Sequence, residues 1–242
     1  EPILQLNANY LRDKDVKELS APGGLLHPQT AQFFSIKKQG EPSTPFRLFK
    51  HQVFAIQQAQ AKKSYVVTTG TGSGKSLTYF IPIVDAVLRA RASGDKTKRT
   101  RAIIVYPMNA LANSQLEEVK KFTDNLSGDS VSVERYTGQE DKAQRAHIAA
   151  NPPDILLTNF QMLEYLLTRF GEDDKRVLAN CHGLEYLVLD ELHTYRGRQG
   201  ADVALLVRRV RSRLKADGLL CIGTSATMSS SGDEEERRRV VS

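Results

Sequence analysis

Cysteine is scarce in this sequence and tryptophan is missing, with 2 and 0 residues respectively among 242. The two cysteines, Cys181 and Cys221, lie far apart and form no CxxC pair. A disulfide framework and a structural zinc site are therefore not expected. Both thiols fall in or near segments that we predict to be structured, so we expect buried, free cysteines.

Long apolar runs are lacking too. No segment approaches the roughly 20 apolar residues that a membrane-spanning helix needs, and no basic stretch followed by an apolar one opens the chain. We therefore expect a cytoplasmic protein. The first residue is Glu1 rather than methionine, which suggests part of a longer protein.

Basic residues are in moderate excess. Lysine and arginine number 34 against 28 aspartates and glutamates, a formal net charge of +6. This balance is compatible with nucleic-acid binding, but many proteins with other partners share it. Two segments, 89–101 and 201–216, are especially basic. The first predicts an exposed loop and the second an amphipathic helix, and an ordinary solvated surface would explain both.

The chain changes character near residue 46. Residues 1–45 contain a possible helix over 4–19, after which glycines and prolines interrupt regular structure, and we interpret this part as an accessory arm. From residue 46 onward, strand and helix candidates alternate, which predicts an α/β domain with a mostly parallel sheet covered by helices on both faces. The predicted strands are 65–69, 103–106, 131–136, 154–158, 184–189 and 219–223, and the predicted helices include 50–61, 75–91, one ending near 122, and 201–216.

A glycine-rich turn follows the first of these strands and opens a helix. Its glycines let several backbone N–H groups point at one phosphate, and the helix N-terminus adds partial positive charge. Lys75 can reach the β and γ phosphates of ATP, and the Ser76 hydroxyl can ligate Mg²⁺. A strict phosphate-loop pattern has glycine where Thr69 stands, and the alternative is a flexible turn with a chance Lys-Ser pair. The predicted nucleotide-binding residues are Thr69, Gly70, Thr71, Gly72, Ser73, Gly74, Lys75 and Ser76.

A second apolar strand, 184–189, ends in two carboxylates. Asp190 would hold Mg²⁺ directly or through water, and Glu191 would orient and deprotonate the attacking water. The alternative is an acidic turn that caps the next element.

Several other segments follow one another in a characteristic order. They are Leu-Phe-Lys-His-Gln ending at Gln52, Tyr-Pro-Met-Asn-Ala-Leu-Ala at 106–112 with Gln115 after it, Tyr-Thr-Gly at 136–138, Ile-Leu-Leu-Thr-Asn at 155–159, and Ser-Ala-Thr at 225–227. Together with the phosphate loop and the carboxylate pair, they resemble the first RecA-like lobe of a superfamily 2 helicase with a DExH box. The resemblance covers residues 46–228, and it points toward large bacterial helicases of the RecQ-like and Lhr-like groups.

The resemblance implies further roles. Gln52 would read the adenine edge, His193 would contribute to catalysis by coupling the lobes and the nucleic acid, and Ser225 and Thr227 would link ATP state to nucleic-acid grip. For His193, simple packing or capping is the alternative. The implied nucleic-acid contacts are Pro107, Asn109, Gln115, Thr137, Gly138, Thr158 and Asn159. At the place of Asn109 the family usually has Thr or Lys.

The resemblance also implies an ATP-driven motor acting on DNA rather than RNA, with 3′-to-5′ movement. Such motors have two lobes, so we expect residues 229–242 to begin a linker to a second lobe that this chain lacks. The main alternative is a double-stranded DNA translocase that separates no strands, such as one in a defence or restriction complex. A nucleotide-dependent scaffold without motor action is a third hypothesis, against which Lys75, Asp190 and Glu191 argue.

Overall fold

The structure is a computed structural model that describes residues 10–36, 44–70, 72–123, 125–126, 131–168, 171–195 and 198–226. Its first elements are β1 (Arg12–Asp15), α1 (Val16–Leu19), α2 (Pro28–Phe33), β2 (Ser35–Ile36), β3 (Thr44–Pro45) and β4 (Arg47–Phe49). The next are α3 (Lys50–Gln60), β5 (Tyr65–Thr69), α4 (Leu77–Ala92), β6 (Ala102–Tyr106), α5 (Asn109–Thr123), β7 (Val133–Arg135) and α6 (Lys142–Ala150). The last are β8 (Ile155–Asn159), α7 (Phe160–Thr168), α8 (Glu172–Asn180), β9 (Tyr186–Leu189), a 3-10 turn (Leu192–Thr194), α9 (Arg198–Arg213) and β10 (Leu220–Ala226).

A six-stranded sheet in the order β5-β10-β9-β6-β8-β7 forms the centre of the molecule. Its strand pairings are all parallel. Every residue of β6 and β9 is buried, because helices cover both faces and leave the central strands no contact with water. The predicted α/β class, the parallel sheet and the six predicted strands are confirmed, with ends that differ by a few residues.

The two faces of the sheet support separate apolar clusters. Alternate residues of one strand enter different clusters: Ile104 packs on the side of α3 and α4, whereas Ile103 and Val105 pack on the side of α7 and α9. Cys181 is buried in the second cluster and Cys221 is partly buried beside it.

The amino-terminal part joins the first cluster. Val16 and Phe33 are fully buried there with Ile56 and Ile81, so packing shows no boundary at residue 45 among the described residues. The predicted helix over 4–19 is wrong for Arg12–Asp15, which form β1 and pair antiparallel with β4. Only Val16–Leu19 are helical, and the first nine residues lie outside the described part. The proposed division at 45 and 228 stays a prediction.

A buried carboxylate fixes this amino-terminal part to the domain. Asp85 of α4 is 0% exposed and accepts hydrogen bonds from groups on α2, α3 and α4 and from the residue before α2. The donors are His27 N at 2.5 Å, Thr30 Oγ1 at 3.0 Å, Gln60 Nε2 at 2.8 Å and Arg89 Nε at 2.7 Å. A buried carboxylate is stable only when its oxygens accept hydrogen bonds. Because the donors to Asp85 come from α2 and α3 as well as from α4, this residue holds α2 and α3 against α4.

The basic segment 89–101 is less exposed than predicted. Arg101 is only 4% exposed and pairs with Asp95 and with Glu185, the latter at 2.5 Å. The hydrogen bond from Arg101 holds the pKa of Asp95 well below its usual range. Lys96 and Lys98 do face solvent, so the exposed-loop prediction holds for the lysines and is wrong for Arg101.

Within the described ranges, no helix is both long enough and apolar enough to cross a membrane.

Candidate functional site

The carboxyl ends of parallel strands meet at one edge of a sheet, where α/β proteins commonly bind ligands. The ends of β5, β10 and β9 carry the phosphate loop, the Ser-Ala-Thr segment and the carboxylate pair. The ends of β6, β8 and β7 carry the three segments predicted to contact nucleic acid. We call the ends of β5, β10 and β9 the nucleotide half of the edge. We call the ends of β6, β8 and β7 the strand half, after the nucleic-acid strand that these segments are predicted to contact.

The phosphate loop has the backbone shape that its glycines permit. Gly72 and Gly74 have φ of 74° and 69°, a left-handed conformation in which a side chain is strained. A Cβ on Gly74 would also lie 2.6 Å from Gln52 Nε2. The hydroxyls of Thr69 and Ser73 hydrogen-bond at 2.6 Å and so join the start of the loop to its middle. The predicted residue Thr71 lies outside the described residues.

The side chains of Gln52 and His51 contact backbone carbonyls of the phosphate loop. Gln52 is 2% exposed; its Nε2 donates to Gly74 O at 2.9 Å and its Oε1 accepts from Phe49 N at 2.8 Å. His51 Nε2 lies 3.1 Å from Ser73 O. Burial, offset in part by this bond, lowers the pKa of His51. The Gln52 amide thus serves the loop in this structure, and its contact with adenine stays a prediction.

Lys75 lies folded over its own loop. Its Nζ donates to Thr69 O at 3.1 Å and to Gly70 O at 3.2 Å. These carbonyls are neutral acceptors, whereas a phosphate oxygen is charged and makes a stronger bond with an ammonium group. The amine is therefore held at the mouth of the loop in a position from which it can turn to an incoming phosphate.

The carboxylate pair is joined to β10 by a threonine that the sequence patterns did not single out. Thr224 is fully buried, donates from Oγ1 to Asp190 Oδ1, and accepts from Glu191 N at 3.1 Å. Burial raises the pKa of Asp190, and the bond from Thr224 opposes this change. One hydroxyl therefore fixes both the side chain of Asp190 and the backbone of Glu191.

Glu191 has two signs of a ligand-binding residue. Its φ of 53° and ψ of 50° place a non-glycine residue in the left-handed region, which costs about 1–2 kcal/mol. Its Oε2 is buried and has no hydrogen-bond partner, although His193 Nδ1 lies 3.2 Å away. Strain and an unsatisfied oxygen in the same residue are typical of functional positions.

His193 connects the pair to the end of β10. Its Nδ1 accepts a hydrogen bond from Ala226 N at 3.2 Å, so this nitrogen has no proton to donate to Glu191 at the same time. Thr224 and His193 thus link the end of β9 to the end of β10, and the predicted coupling roles of His193, Ser225 and Thr227 stay predictions. Ser225 Oγ donates to the adjacent Ala226 O at 3.1 Å, and Thr227 lies outside the described residues.

Two buried tyrosines, Tyr79 of α4 and Tyr106 at the end of β6, were not predicted as site residues. The hydroxyls of Tyr79 and Tyr106 lie 3.4 Å apart, and both residues are 0% exposed. Burial and then the Asp190 charge raise the pKa of Tyr79, while a hydrogen bond with Ser76 lowers it. The Tyr79 hydroxyl therefore responds both to the Ser76 hydroxyl and to the charge of Asp190, the two predicted metal ligands. Each of these tyrosines is one polar hydroxyl inside an apolar segment, which sequence patterns do not distinguish from an ordinary core position.

The donor set suits magnesium. Ser76 and Asp190 offer a hydroxyl and a carboxylate, and Mg²⁺ prefers few protein oxygens, with water and phosphate completing its octahedron. Across the residues that the structure covers, no group of three or more His, Cys, Asp or Glu side chains could hold a metal. Two oxygen donors of this kind fit a magnesium ion that has phosphate and water as its other ligands.

The strand half has a different character, because its polar groups bond to one another. Thr158 is 0% exposed and donates to Tyr136 O at 2.6 Å. The Thr158 side chain therefore supports the neighbouring strand from within, and the predicted contact of this residue with nucleic acid stays a prediction. Thr137 is 5% exposed, and a single residue, Glu140, accepts from its N and Oγ1 and from Gly138 N, at 2.8, 3.0 and 2.9 Å.

Surface remains available at the end of β6. Pro107, Asn109 and Gln115 are partly exposed, and Met108 is 59% exposed. The predicted contacts at these positions, at Thr137, at Gly138 and at Asn159 stay predictions, and hydrogen bonds from Asn159 join Asn109 and Thr137 in this half of the edge.

Comparison with known proteins places this geometry in a family. The family model for DEAD/DEAH box helicases matches residues 49–234. The chain is 32% identical over 188 residues to an uncharacterized ATP-dependent helicase, MJ1574, of Methanocaldococcus jannaschii, covering 76% of this chain and 26% of that protein. It is 33% identical over 183 residues to the uncharacterized ATP-dependent helicase YprA of Bacillus subtilis, covering 75% and 23%.

A solved structure agrees with the sequence matches. The crystal structure of the DUF1998 helicase MrfA bound to DNA and AMPPNP superimposes with a TM-score of 0.69 at 27% identity, covering 94% of this chain and 29% of that one. The chain thus spans about a quarter of the length of these two curated relatives.

Proposed function

The chain belongs to the DEAD/DEAH box helicase family, and we propose that it is the ATP-binding lobe of a DNA helicase. The observation that carries the proposal is the joint arrangement at the nucleotide half. A phosphate loop, a carboxylate pair and a strand that links them through Thr224 meet at one edge of the sheet.

The roles follow from the positions of the side chains. The loop amides and Lys75 would bind the phosphates of ATP, and Ser76 and Asp190 would hold the magnesium ion that accompanies it. When bound, that ion neutralises charge on the phosphate oxygens. Glu191, whose Oε2 has no partner, would orient the attacking water and accept its proton.

A second RecA-like lobe is part of the proposal. The matched relatives are about four times as long as the part that this chain covers, and helicases of this superfamily close two lobes around ATP. The other lobe would supply the arginine that stabilises charge on the transferred phosphoryl group. Such an arginine is worth roughly 10³–10⁵ in rate, so this lobe alone should bind ATP and hydrolyse it slowly.

We propose DNA as the nucleic acid, bound across the strand half. The solved structure of MrfA, a similar protein, contains bound DNA. In this chain, the residues that follow β6, in the strand half of the sheet edge, are partly exposed. Contacts there would go mainly to phosphates and sugars, so binding should tolerate many sequences and weaken as salt rises.

A strand-displacement assay on the full-length protein tests the function. We expect ATP to drive release of a labelled strand from a duplex with a 3′ single-stranded tail, and a non-hydrolysable analogue to fail. Displacement of a triplex-forming strand without duplex separation would instead support a double-stranded DNA translocase. ATP turnover that no nucleic acid changes would support the scaffold hypothesis.

Crosslinking tests the path. Bound single-stranded DNA should crosslink to residues 107–115 and to the neighbouring strand-half segments. Crosslinks confined to the 89–101 segment would contradict the proposed path.

A further inference from the structure

One side chain, Asn159, joins the three segments of the strand half. Its Nδ2 donates to Asn109 Oδ1 at 2.6 Å and to Thr137 O at 3.1 Å. Its Oδ1 accepts from Met162 N at 2.7 Å in the first turn of α7. The ends of β6, β8 and β7 are therefore connected through a single amide, and three of its hydrogen-bonding positions are used inside the protein.

The orientation of this amide is fixed by its main-chain partners. The N–H of Met162 can only donate, so it must face the oxygen of Asn159, and the carbonyl of Thr137 can only accept, so it must face the nitrogen. The remaining hydrogen of Nδ2 then points at Asn109, which must present its own oxygen. Two backbone groups thus determine the orientation of a second amide, that of Asn109.

The consequence lies at the surface. With Oδ1 turned toward Asn159, the Nδ2 of Asn109 is on the opposite side of its amide group. Asn109 is partly exposed, begins α5 and follows the exposed Met108. A donor at the start of a helix is well suited to an anion, because the helix dipole is positive there.

We propose that Asn159 is a positioning residue that acts through Asn109: it orients the Asn109 amide so that its N–H₂ group faces a phosphate of the bound strand. The inference rests on the proposed function and refines the prediction that both asparagines contact nucleic acid. Without the donor of Asn159, the Asn109 amide is free to turn over and to present an oxygen, which repels a phosphate.

A double-mutant cycle on strand affinity tests the inference in the full-length protein, with a fluorescent single-stranded DNA as probe. Asn109→Ala should weaken binding about tenfold, the loss typical of a hydrogen bond to a charged group. Asn159→Ser keeps a side-chain oxygen to cap α7 but cannot reach both other partners, and it should weaken binding by a similar factor. The double variant should bind no worse than Asn109→Ala alone, because Asn159 acts through that residue.

A rescue separates positioning from general damage to the fold. Asn109→Lys carries a donor that needs no orientation, so Asn109→Lys should bind equally well with Asn159 or with Asn159→Ser. If Asn159→Ser proves too unstable to purify, Asn159→Thr also keeps an oxygen that can cap α7 and adds no charge, and the same rescue by Lys is expected. The matched control is Asn151→Ser, an exposed asparagine at the end of α6, which should leave affinity unchanged.

The outcomes are distinct. Losses that multiply in the double variant show that Asn159 contacts DNA itself, and they overturn the inference. Unchanged affinity in Asn109→Ala, or a Lys variant that fails to rescue, also overturns it. A wild-type protein that binds no single strand overturns the proposed function as well, and this arm distinguishes the two failures.

Discussion

The two halves of the sheet edge differ in how far their polar groups are satisfied by hydrogen bonds within the protein. In the nucleotide half, Glu191 is strained and keeps a buried oxygen without a hydrogen-bond partner, and the Lys75 amine rests on neutral carbonyls. In the strand half, Thr158, Asn159 and Glu140 satisfy neighbouring backbone groups. The first half has bonding capacity that a ligand would fill, and the second has used most of its own to hold three strand ends together.

The difference suggests a division of labour. Hydrolysis needs groups that act on a substrate, so strain and unsatisfied atoms persist there at a cost in stability. Binding a nucleic-acid strand of any sequence needs a rigid protein surface with few exposed hydrogen-bond donors. Substitutions in the nucleotide half should therefore change chemistry more than stability, and substitutions in the strand half should do the reverse.

The largest effect that sharpens this comparison is expected at Lys75. Lys75→Ala in the full-length protein should reduce ATP hydrolysis to background, since no other described side chain in the loop supplies a positive charge. Steady-state phosphate release measures it, and Lys63→Ala, an exposed lysine before β5, serves as the control. Normal turnover in Lys75→Ala would overturn the phosphate-loop assignment.

The next effect is expected at Glu191. Glu191→Gln keeps the size of the side chain and should retain ATP binding, but it cannot accept a proton from water. Single-turnover hydrolysis should slow by roughly 10²–10⁴-fold, while a fluorescent ATP analogue binds as before. Hydrolysis at the wild-type rate would show that Glu191 is not the base.

In the strand half, we expect stability to change instead. Thr158→Val removes a buried hydroxyl and leaves Tyr136 O without its donor, which should lower the free energy of unfolding by about 1–3 kcal/mol. Denaturant titration measures this. Thr168→Val, which removes an exposed hydroxyl from the end of α7, should stay within about 0.5 kcal/mol. An equal loss in both variants would contradict the supporting role of Thr158.

The smallest effect is a difference in stability between two variants of Glu191. Glu191→Gly and Glu191→Ala remove the same carboxylate, but only glycine relieves the left-handed backbone. The glycine variant should be the more stable of the two by about 1 kcal/mol, and neither should hydrolyse ATP at the wild-type rate. If Glu191→Ala is as stable as Glu191→Gly, the backbone of Glu191 is not strained in solution.

Sequence patterns predicted the sheet well, and they assigned the phosphate loop and the carboxylate pair to the ends of strands that share one edge, for a physical reason. A buried parallel strand must be continuously apolar, and the residues that come directly after such strands all lie at the same edge of the sheet. The order of the segments therefore carried the phosphate loop and Asp190 to one place. Thr224 and Tyr79 could not be found in this way, because each is one polar group inside an apolar segment whose partner is distant in the chain.

The amino-terminal part and the strand half were harder to predict. Spacing of apolar residues suggested a helix across Arg12–Asp15, but pairing with β4 decided the outcome, and tertiary contacts commonly override weak local preference. Motif resemblance assigned Thr158 and Asn159 alike to nucleic acid. The structure shows that Thr158 is fully buried and that Asn159 makes three hydrogen bonds within the protein. Sequence patterns did not indicate either of these supporting roles.

Steady-state ATP turnover of the purified 242-residue chain, with and without single-stranded DNA, tests the central claim most directly. We predict that the chain folds, binds ATP weakly and hydrolyses it very slowly, and that DNA does not raise the rate, because stimulation requires a second lobe to close on the first. Robust turnover that DNA stimulates and that Lys75→Ala removes would contradict the account, since it would show that this lobe suffices for catalysis.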